Sequence, residues 1–130
     1  MPYIDAKLYL STSQALTGTD AISENTLDTE LTYPGWEKGQ PAAIVIQSEA
    51  LGTGTTGFNF IVVNHTSAPT DGTYEIARMK VAIGSVTAGA RFIIPLPAGV
   101  ELKRYLGVYI DCANNDETGT FTIYVSPMPT

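Results

Sequence analysis

The segment ARFIIPLPAGVELKRYLGVYID, residues 90–111, contains two apolar runs on either side of a turn rich in Pro and Gly. The first run is rich in Ile, and the second begins at Arg104 and continues through Tyr, Leu and Val. β-Branched and aromatic residues fit a pleated strand, whereas Pro and Gly mark its ends. The segment therefore predicts two β-strands joined by a turn, and it carries no catalytic signature.

The same pattern recurs along the whole chain, where short apolar runs alternate with turns that contain Gly, Pro, Asn or Asp. One helical turn is predicted around Ser13–Leu16, ended by Gly18, and no long helix is predicted. Many short strands with turn-rich connections are typical of a β-sandwich or a closed barrel. The eight predicted antiparallel strands are Tyr3–Leu10, Ala21–Thr32, Ala42–Ala50, Gly57–Asn64, Thr73–Ile83, Ala90–Leu96, Arg104–Cys112 and Thr118–Ser126.

Length and charge limit the classes of function. A chain of 130 residues predicts a single domain over residues 1–130 that can bury an apolar core. The formal net charge of −6 argues against a nucleic-acid partner, because phosphate contacts need clustered Lys and Arg. Neither a signal peptide nor an apolar run of about 20 residues is seen, so we expect synthesis in a cytoplasm and no membrane partner.

Residues suited to catalysis are few and scattered. His65 and Cys112 are the single histidine and the single cysteine, and neither lies in a recognisable nucleophile motif. We expect Cys112 to be a buried thiol and His65 to be a turn or surface residue. Pairs of acidic residues that could hydrolyse a glycoside cannot be identified from spacing. The sequence therefore predicts a protein that is not an enzyme, with no catalytic residue, cofactor or metal site.

Two further features leave alternatives open. The acidic stretch around Asp116 has enough side-chain oxygens for a Ca²⁺ ion, but a hairpin turn explains the same residues. Trp36 and Tyr33 lie in a loop, where they could cap the core, anchor a protein partner or stack on a sugar. The last possibility gives the alternative function, a carbohydrate-binding β-sandwich of a phage tail or fibre.

Two separate segments of the chain resemble small capsid cement, or decoration, proteins of tailed bacteriophages. The later segment carries Ala88-Gly89, the corner PLPAG (residues 95–99) and the triplet RYL (residues 104–106). The opening stretch YIDAKLYLSTSQALTGTDAISENTLD, residues 3–28, is similar to the family's first strand and the elements that follow it. Between residues 31 and 83 only the rhythm of the strands agrees, and the Trp36 loop matches nothing in the family.

The resemblance implies a jelly-roll-like fold that binds the exterior of a virion capsid. Such proteins contact neighbouring subunits of the major capsid protein, often as dimers or trimers, and have no catalytic residues. A partner surface of this kind depends on a few anchor residues, for which Tyr, Trp and Arg are the favoured types. The interface candidates, each also open to a core or plain surface role, are Tyr3, Tyr33, Trp36 and Arg104.

Overall fold

The computed structural model describes residues 9–28, 42–67, 69–96 and 105–127. These residues form antiparallel strands and a single 3-10 turn at Ile83–Ser85. None of them forms a helix long and apolar enough to cross a membrane. The strands are β1 (Tyr9–Thr17), β2 (Ala21–Ile22), β3 (Leu27–Asp28), β4 (Ala42–Ser48), β5 (Gly57–His65), β6 (Glu75–Ala82), β7 (Arg91–Pro95), β8 (Tyr105–Cys112) and β9 (Thr118–Pro127).

The strands form two open antiparallel sheets that pack face to face. One sheet has the order β1-β9-β4-β7, and the other has the order β2-β8-β5-β6, with β3 also paired to β8. The first and last strands are neighbours, and several connections, such as the one from β4 to β5, cross between the sheets, whereas β5 and β6 form a hairpin within one sheet. This is the strand order of a jelly roll. The predicted all-β, jelly-roll-like sandwich is therefore confirmed, and the closed barrel is not observed.

The core lies between the two sheets and follows the alternation of residues along the strands. Ile44 and Ile46 of β4 face Phe58 and Phe60 of β5, while the ring of Phe121 on β9 meets both phenylalanines edge-on. The ring centroids are 5.0 and 5.1 Å apart, a favourable geometry for aromatic pairs. These five side chains are at most 1 % exposed, so packing between the sheets stabilises the sandwich.

The first strand differs from its prediction. Its described part spans Tyr9–Thr17, beyond the predicted end at Leu10, while residues 3–8 of the prediction lie outside the described residues. The helical turn predicted for Ser13–Leu16 is wrong because this stretch pairs with β9. Register shifts interrupt the pairing, and Ser13 has a φ of 50°. The backbone N–H of Ser13 donates to Thr122 Oγ1 at 3.0 Å. Polar side chains therefore replace part of the ladder along this edge strand.

The second predicted strand, Ala21–Thr32, divides into β2 and β3, and its last residues lie outside the described part of the chain. Between the two strands the Ser23 hydroxyl accepts from the Val108 N–H at 3.2 Å and donates to the Asn25 carbonyl at 2.8 Å. Serine side chains compete with backbone pairing in this way. The interruption follows from that local hydrogen bonding.

Candidate interaction surface

The connections between strands are divided between the two ends of the sandwich. At one end lie residues 18–20, 49–56, 83–90 and 113–117, which we call the acidic end. At the other end lies the connection 66–74. Several strands also begin or end there, because Tyr105 pairs with both Asp28 and His65, and Ala42 pairs with Pro127. Residues 1–8, 29–41, 97–104 and 128–130 therefore join the described strands at this second end, which we call the aromatic end.

The two ends differ sharply in composition. The four connections of the acidic end contain four carboxylates and no Lys, Arg or aromatic residue. The segments that join or form the aromatic end contain five carboxylates as well, so the ends differ in their basic and aromatic residues: only these segments add Lys7, Lys38, Lys103 and Arg104 together with loop aromatics. Large aromatic and Arg side chains dominate the energetics of protein interfaces. The sequence, placed on this topology, therefore indicates the aromatic end as the surface suited to a partner. Of the loop aromatics, Tyr74 is described at this end, and Tyr3, Tyr33 and Trp36 belong to segments that connect to the described strands there.

All four interface candidates predicted from the sequence, Tyr3, Tyr33, Trp36 and Arg104, lie outside the described residues. The structure nevertheless gives the points at which their segments meet the strands. Tyr3 precedes β1, the segment with Tyr33 and Trp36 joins β3 to β4, and Arg104 directly precedes β8. Those attachment points are all at the aromatic end. The candidates thus belong to segments that connect to the described strands at one end of the sandwich.

Tyr74 is an aromatic residue of the same end that sequence reasoning missed. It lies just before β6, is 59 % exposed, and has a φ of 63°. Its ring packs against the ring of His65, with centroids 4.1 Å apart and planes at 71°. The only sequence signal was the turn Asp71-Gly72, which predicts a sharp change of direction before the strand but not an exposed ring.

At the acidic end, the side chain of Glu117 is fully buried. Its Oε2 accepts from the backbone N–H groups of Thr56 and Gly57 at 2.9 and 3.2 Å, and its Oε1 accepts from Asn114 N–H at 2.8 Å. Burial opposes ionisation, but these hydrogen bonds outweigh it and lower the pKa of Glu117 to about 2. The ionised carboxylate therefore joins the β8–β9 turn to the β4–β5 connection.

Asp116, next to Glu117, also bonds within the chain. Its Oδ1 accepts from Thr55 N–H at 3.1 Å, and its Oδ2 accepts from the Thr55 hydroxyl. Asn115 has a φ of 57°, a left-handed conformation that asparagine tolerates better than most residues. These contacts explain the acidic stretch as a built hairpin turn. In the described ranges, no group of three or more His, Cys, Asp or Glu side chains is placed to hold a metal ion.

The family model Bbp16 matches residues 10–125 of the sequence. The chain belongs to the Bbp16 family. The Bbp16 match begins in β1 and ends in β9, so it includes both sheets of the jelly roll. The family is phage-associated, which agrees with the phage context predicted from the sequence. A search of curated proteins finds none that matches the chain.

The two residues of this Bbp16 family member best suited to nucleophilic chemistry are far apart. Cys112 is buried at the acidic end of β8, as predicted, and its Sγ donates to the Thr19 carbonyl at 3.6 Å. Burial, followed by the nearby Asp20 carboxylate, raises the pKa of Cys112 to about 11, which opposes formation of a thiolate. His65 lies at the opposite end of the sandwich, where its Nδ1 accepts from Ser67 N–H at 2.8 Å. The thiol and the imidazole therefore do not form a catalytic pair.

Proposed function

We propose that the chain is a capsid cement protein. It binds the exterior of a phage head through its aromatic end and stabilises contacts between subunits of the major capsid protein. The observation that carries the proposal is the Bbp16 match, which spans the whole jelly roll and gives the chain a phage context. The division of side chains between the two ends of the sandwich supports a surface for holding other proteins.

The aromatic end supplies the side chains for this contact. Tyr, Trp and Arg are over-represented among residues that carry binding energy, since each buries a large surface and also makes directed contacts. Tyr3, Tyr33, Trp36 and Arg104 have these properties and belong to segments that connect to the described strands at one end. A few such anchors in a patch of about 1,600 Å² of total buried area would hold the protein on the shell.

Oligomerisation would strengthen the attachment. When a dimer or trimer binds neighbouring capsid subunits, the second contact forms at a high effective concentration because the first already holds the protein in place. Each patch can then be individually weak while the assembly resists the outward load of a packed genome. A homo-oligomer of this chain is therefore part of the proposal.

A purely structural role needs no chemistry at a polar site. The buried position of Cys112 and its separation from His65 support a non-enzymatic protein. A nucleophilic site requires a base within hydrogen-bond reach of the nucleophile, and these two groups lie at opposite ends. We infer that the chain acts by binding alone.

The proposal is tested with purified protein and expanded empty heads that lack it. The protein should co-sediment with the heads, saturate at a fixed number of copies per head, and raise the temperature at which the heads break open. Unexpanded heads provide the control for binding to the mature surface. Failure to co-sediment, or binding that leaves the heat resistance of the heads unchanged, would contradict a cement role.

The carbohydrate-binding alternative depended on Tyr33, Trp36 and the acidic turn near Asp116. In the fold, the segment with Tyr33 and Trp36 joins the strands at the aromatic end, whereas Asp116 lies at the acidic end. The Asp116 carboxylate also accepts two hydrogen bonds from Thr55. These placements do not favour a sugar site that combines the three residues, and the cement function is the better supported.

A further inference from the structure

Tyr74 is exposed in a fold that otherwise buries its large side chains well. Among the described residues, the large hydrophobic side chains that stand out as exposed are Tyr74, at 59 %, and Leu51, at 67 %, at opposite ends of the sandwich. A single exposed apolar residue is common on protein surfaces. The backbone and the neighbours of Tyr74 are what distinguish it from Leu51.

The backbone of Tyr74 is in the left-handed region, with a φ of 63°. A bulky residue rarely adopts this conformation, which costs about 1 kcal/mol or more. Local contacts hold it there: the Tyr74 carbonyl accepts from Asn64 N–H at 3.2 Å, and Asp71 accepts from both the N–H and the hydroxyl of Thr73. Glycine would adopt the same turn more easily, so the tyrosine at this position is unfavourable for the turn itself.

The ring of Tyr74 is held in one orientation. The His65 ring packs edge-on against it with a centroid separation of 4.1 Å. His65 in turn belongs to β5 and pairs with Tyr105 of β8. A side chain that is already ordered loses less entropy when it enters a partner's pocket, so this packing prepares Tyr74 for binding.

The position of Tyr74 connects it with the proposed contact surface. His65, its neighbour, pairs with Tyr105, the residue that directly follows Arg104 in the sequence. Tyr74 therefore lies at the aromatic end, beside the point where the segment that contains Arg104 joins β8. Leu51, in the β4–β5 connection, lies at the acidic end.

We propose that Tyr74, presented by its left-handed backbone and by His65, is an anchor residue that inserts into an apolar pocket on the outer surface of the major capsid protein. This inference rests on the cement function proposed above. Loss of an interface anchor of this type weakens binding strongly, so we expect removal of the ring to reduce the affinity for heads at least about tenfold.

The test compares three variants for binding to expanded empty heads and for thermal unfolding. Tyr74→Gly removes the ring and suits the left-handed backbone, so its Tm should stay within about 3 °C of the original. Tyr74→Ala removes the ring without relieving the backbone. Leu51→Ala is the matched control, since it removes an exposed apolar side chain of similar exposure at the opposite end.

The expected result is that both Tyr74 variants lose affinity at least about tenfold while Leu51→Ala binds within about twofold of the original protein. If the original protein binds heads and Tyr74→Gly binds equally well, the anchor role is overturned while the cement function stands. A fall in the Tm of Tyr74→Gly by more than about 5 °C would overturn it too, because the ring would then be structural. Failure of the original protein to bind heads would instead contradict the cement function.

Discussion

Replacement of Glu117 tests how the acidic end is held together. In Glu117→Ala, the backbone N–H groups of Thr56, Gly57 and Asn114 lose the carboxylate that accepts their hydrogen bonds. A buried donor left without an acceptor costs about 1–3 kcal/mol. Thr56 and Asn114 are exposed, so water can reach their N–H groups, whereas Gly57 is buried. We therefore expect a loss of about 3 kcal/mol in the free energy of unfolding.

Glu117→Gln should cost less and should also change the response to pH. The amide oxygen can still accept from Thr56 and Gly57, but the NH₂ group then faces the Asn114 N–H, which loses its acceptor. We expect a loss of about 1–2 kcal/mol near pH 7. Because the pKa of Glu117 falls from 4.5 in the unfolded chain to about 2 in the fold, its ionised form stabilises the protein above pH 4.5. This contribution is lost as the pH falls towards 2, so the difference from Glu117→Gln should shrink over that interval.

The assay is urea unfolding followed by circular dichroism, between about pH 2 and pH 7. Glu49→Gln is the matched control, because Glu49 is an exposed carboxylate at the same end that accepts from the hydroxyls of Ser13 and Thr122. We expect this control to change the free energy of unfolding by less than about 1 kcal/mol. The role assigned to the buried carboxylate is refuted if Glu117→Ala loses no more than the control. It is also refuted if the original protein and the Glu117→Gln variant differ in stability by the same amount at about pH 3 and pH 7.

Three other predictions concern the packing of the sandwich. Gly57→Ala should lower the free energy of unfolding by about 3 kcal/mol, because Gly57 has a φ of 144° and a Cβ there would lie 2.1 Å from the Val81 carbonyl oxygen. The control is Gly84→Ala, which should be nearly neutral in the same urea titration because nothing lies within 4 Å of a Cβ at that position. Cys112 should react with a thiol reagent only after denaturation, since its thiol is buried and its pKa is raised to about 11, and rapid labelling of the folded protein would contradict this. Phe121→Ala should cost about 3–5 kcal/mol, because the ring packs edge-on against two other buried phenylalanines; a loss below about 1 kcal/mol would show that the core is not arranged as described.

The strands β5 and β9 could be predicted closely because their boundaries are local. The predicted strand Thr118–Ser126 corresponds to β9, Thr118–Pro127, and the predicted strand Gly57–Asn64 corresponds to β5, Gly57–His65. In both cases an apolar run begins after a turn with Gly or acidic residues. The period of the side chains then predicts which residues share a face, such as Phe58, Phe60 and Val62, but it does not predict that Ile61 and Val63 on the other face of β5 are buried as well.

The edge strand and the polar contacts could not be predicted for a different reason. The donors to Glu117 include Gly57, which is 60 positions away in the sequence, and Ser13 donates to Thr122, which is 109 positions away. Such contacts exist only once the two sheets have formed. For the same reason the sequence showed a possible calcium turn near Asp116, whereas the fold directs those carboxylates to backbone and hydroxyl donors of the β4–β5 connection.

The interface candidates, too, could be predicted only in part from the sequence. Residue type and predicted position in a loop or at a strand end indicated Tyr3, Tyr33, Trp36 and Arg104. Only the topology shows that their segments connect to the described strands at one end of the sandwich, the end that also has the connection with Tyr74. Sequence reasoning missed Tyr74 because its exposure follows from the turn geometry and from packing against His65.

The most direct measurement is cryo-electron microscopy of expanded heads prepared with and without this protein. The cement function predicts added density on the outer surface only when the protein is present, with the jelly roll oriented so that its aromatic end meets the major capsid protein. Heads that look the same in both preparations would contradict the cement function, and a sandwich bound through its acidic end would contradict the proposed contact surface.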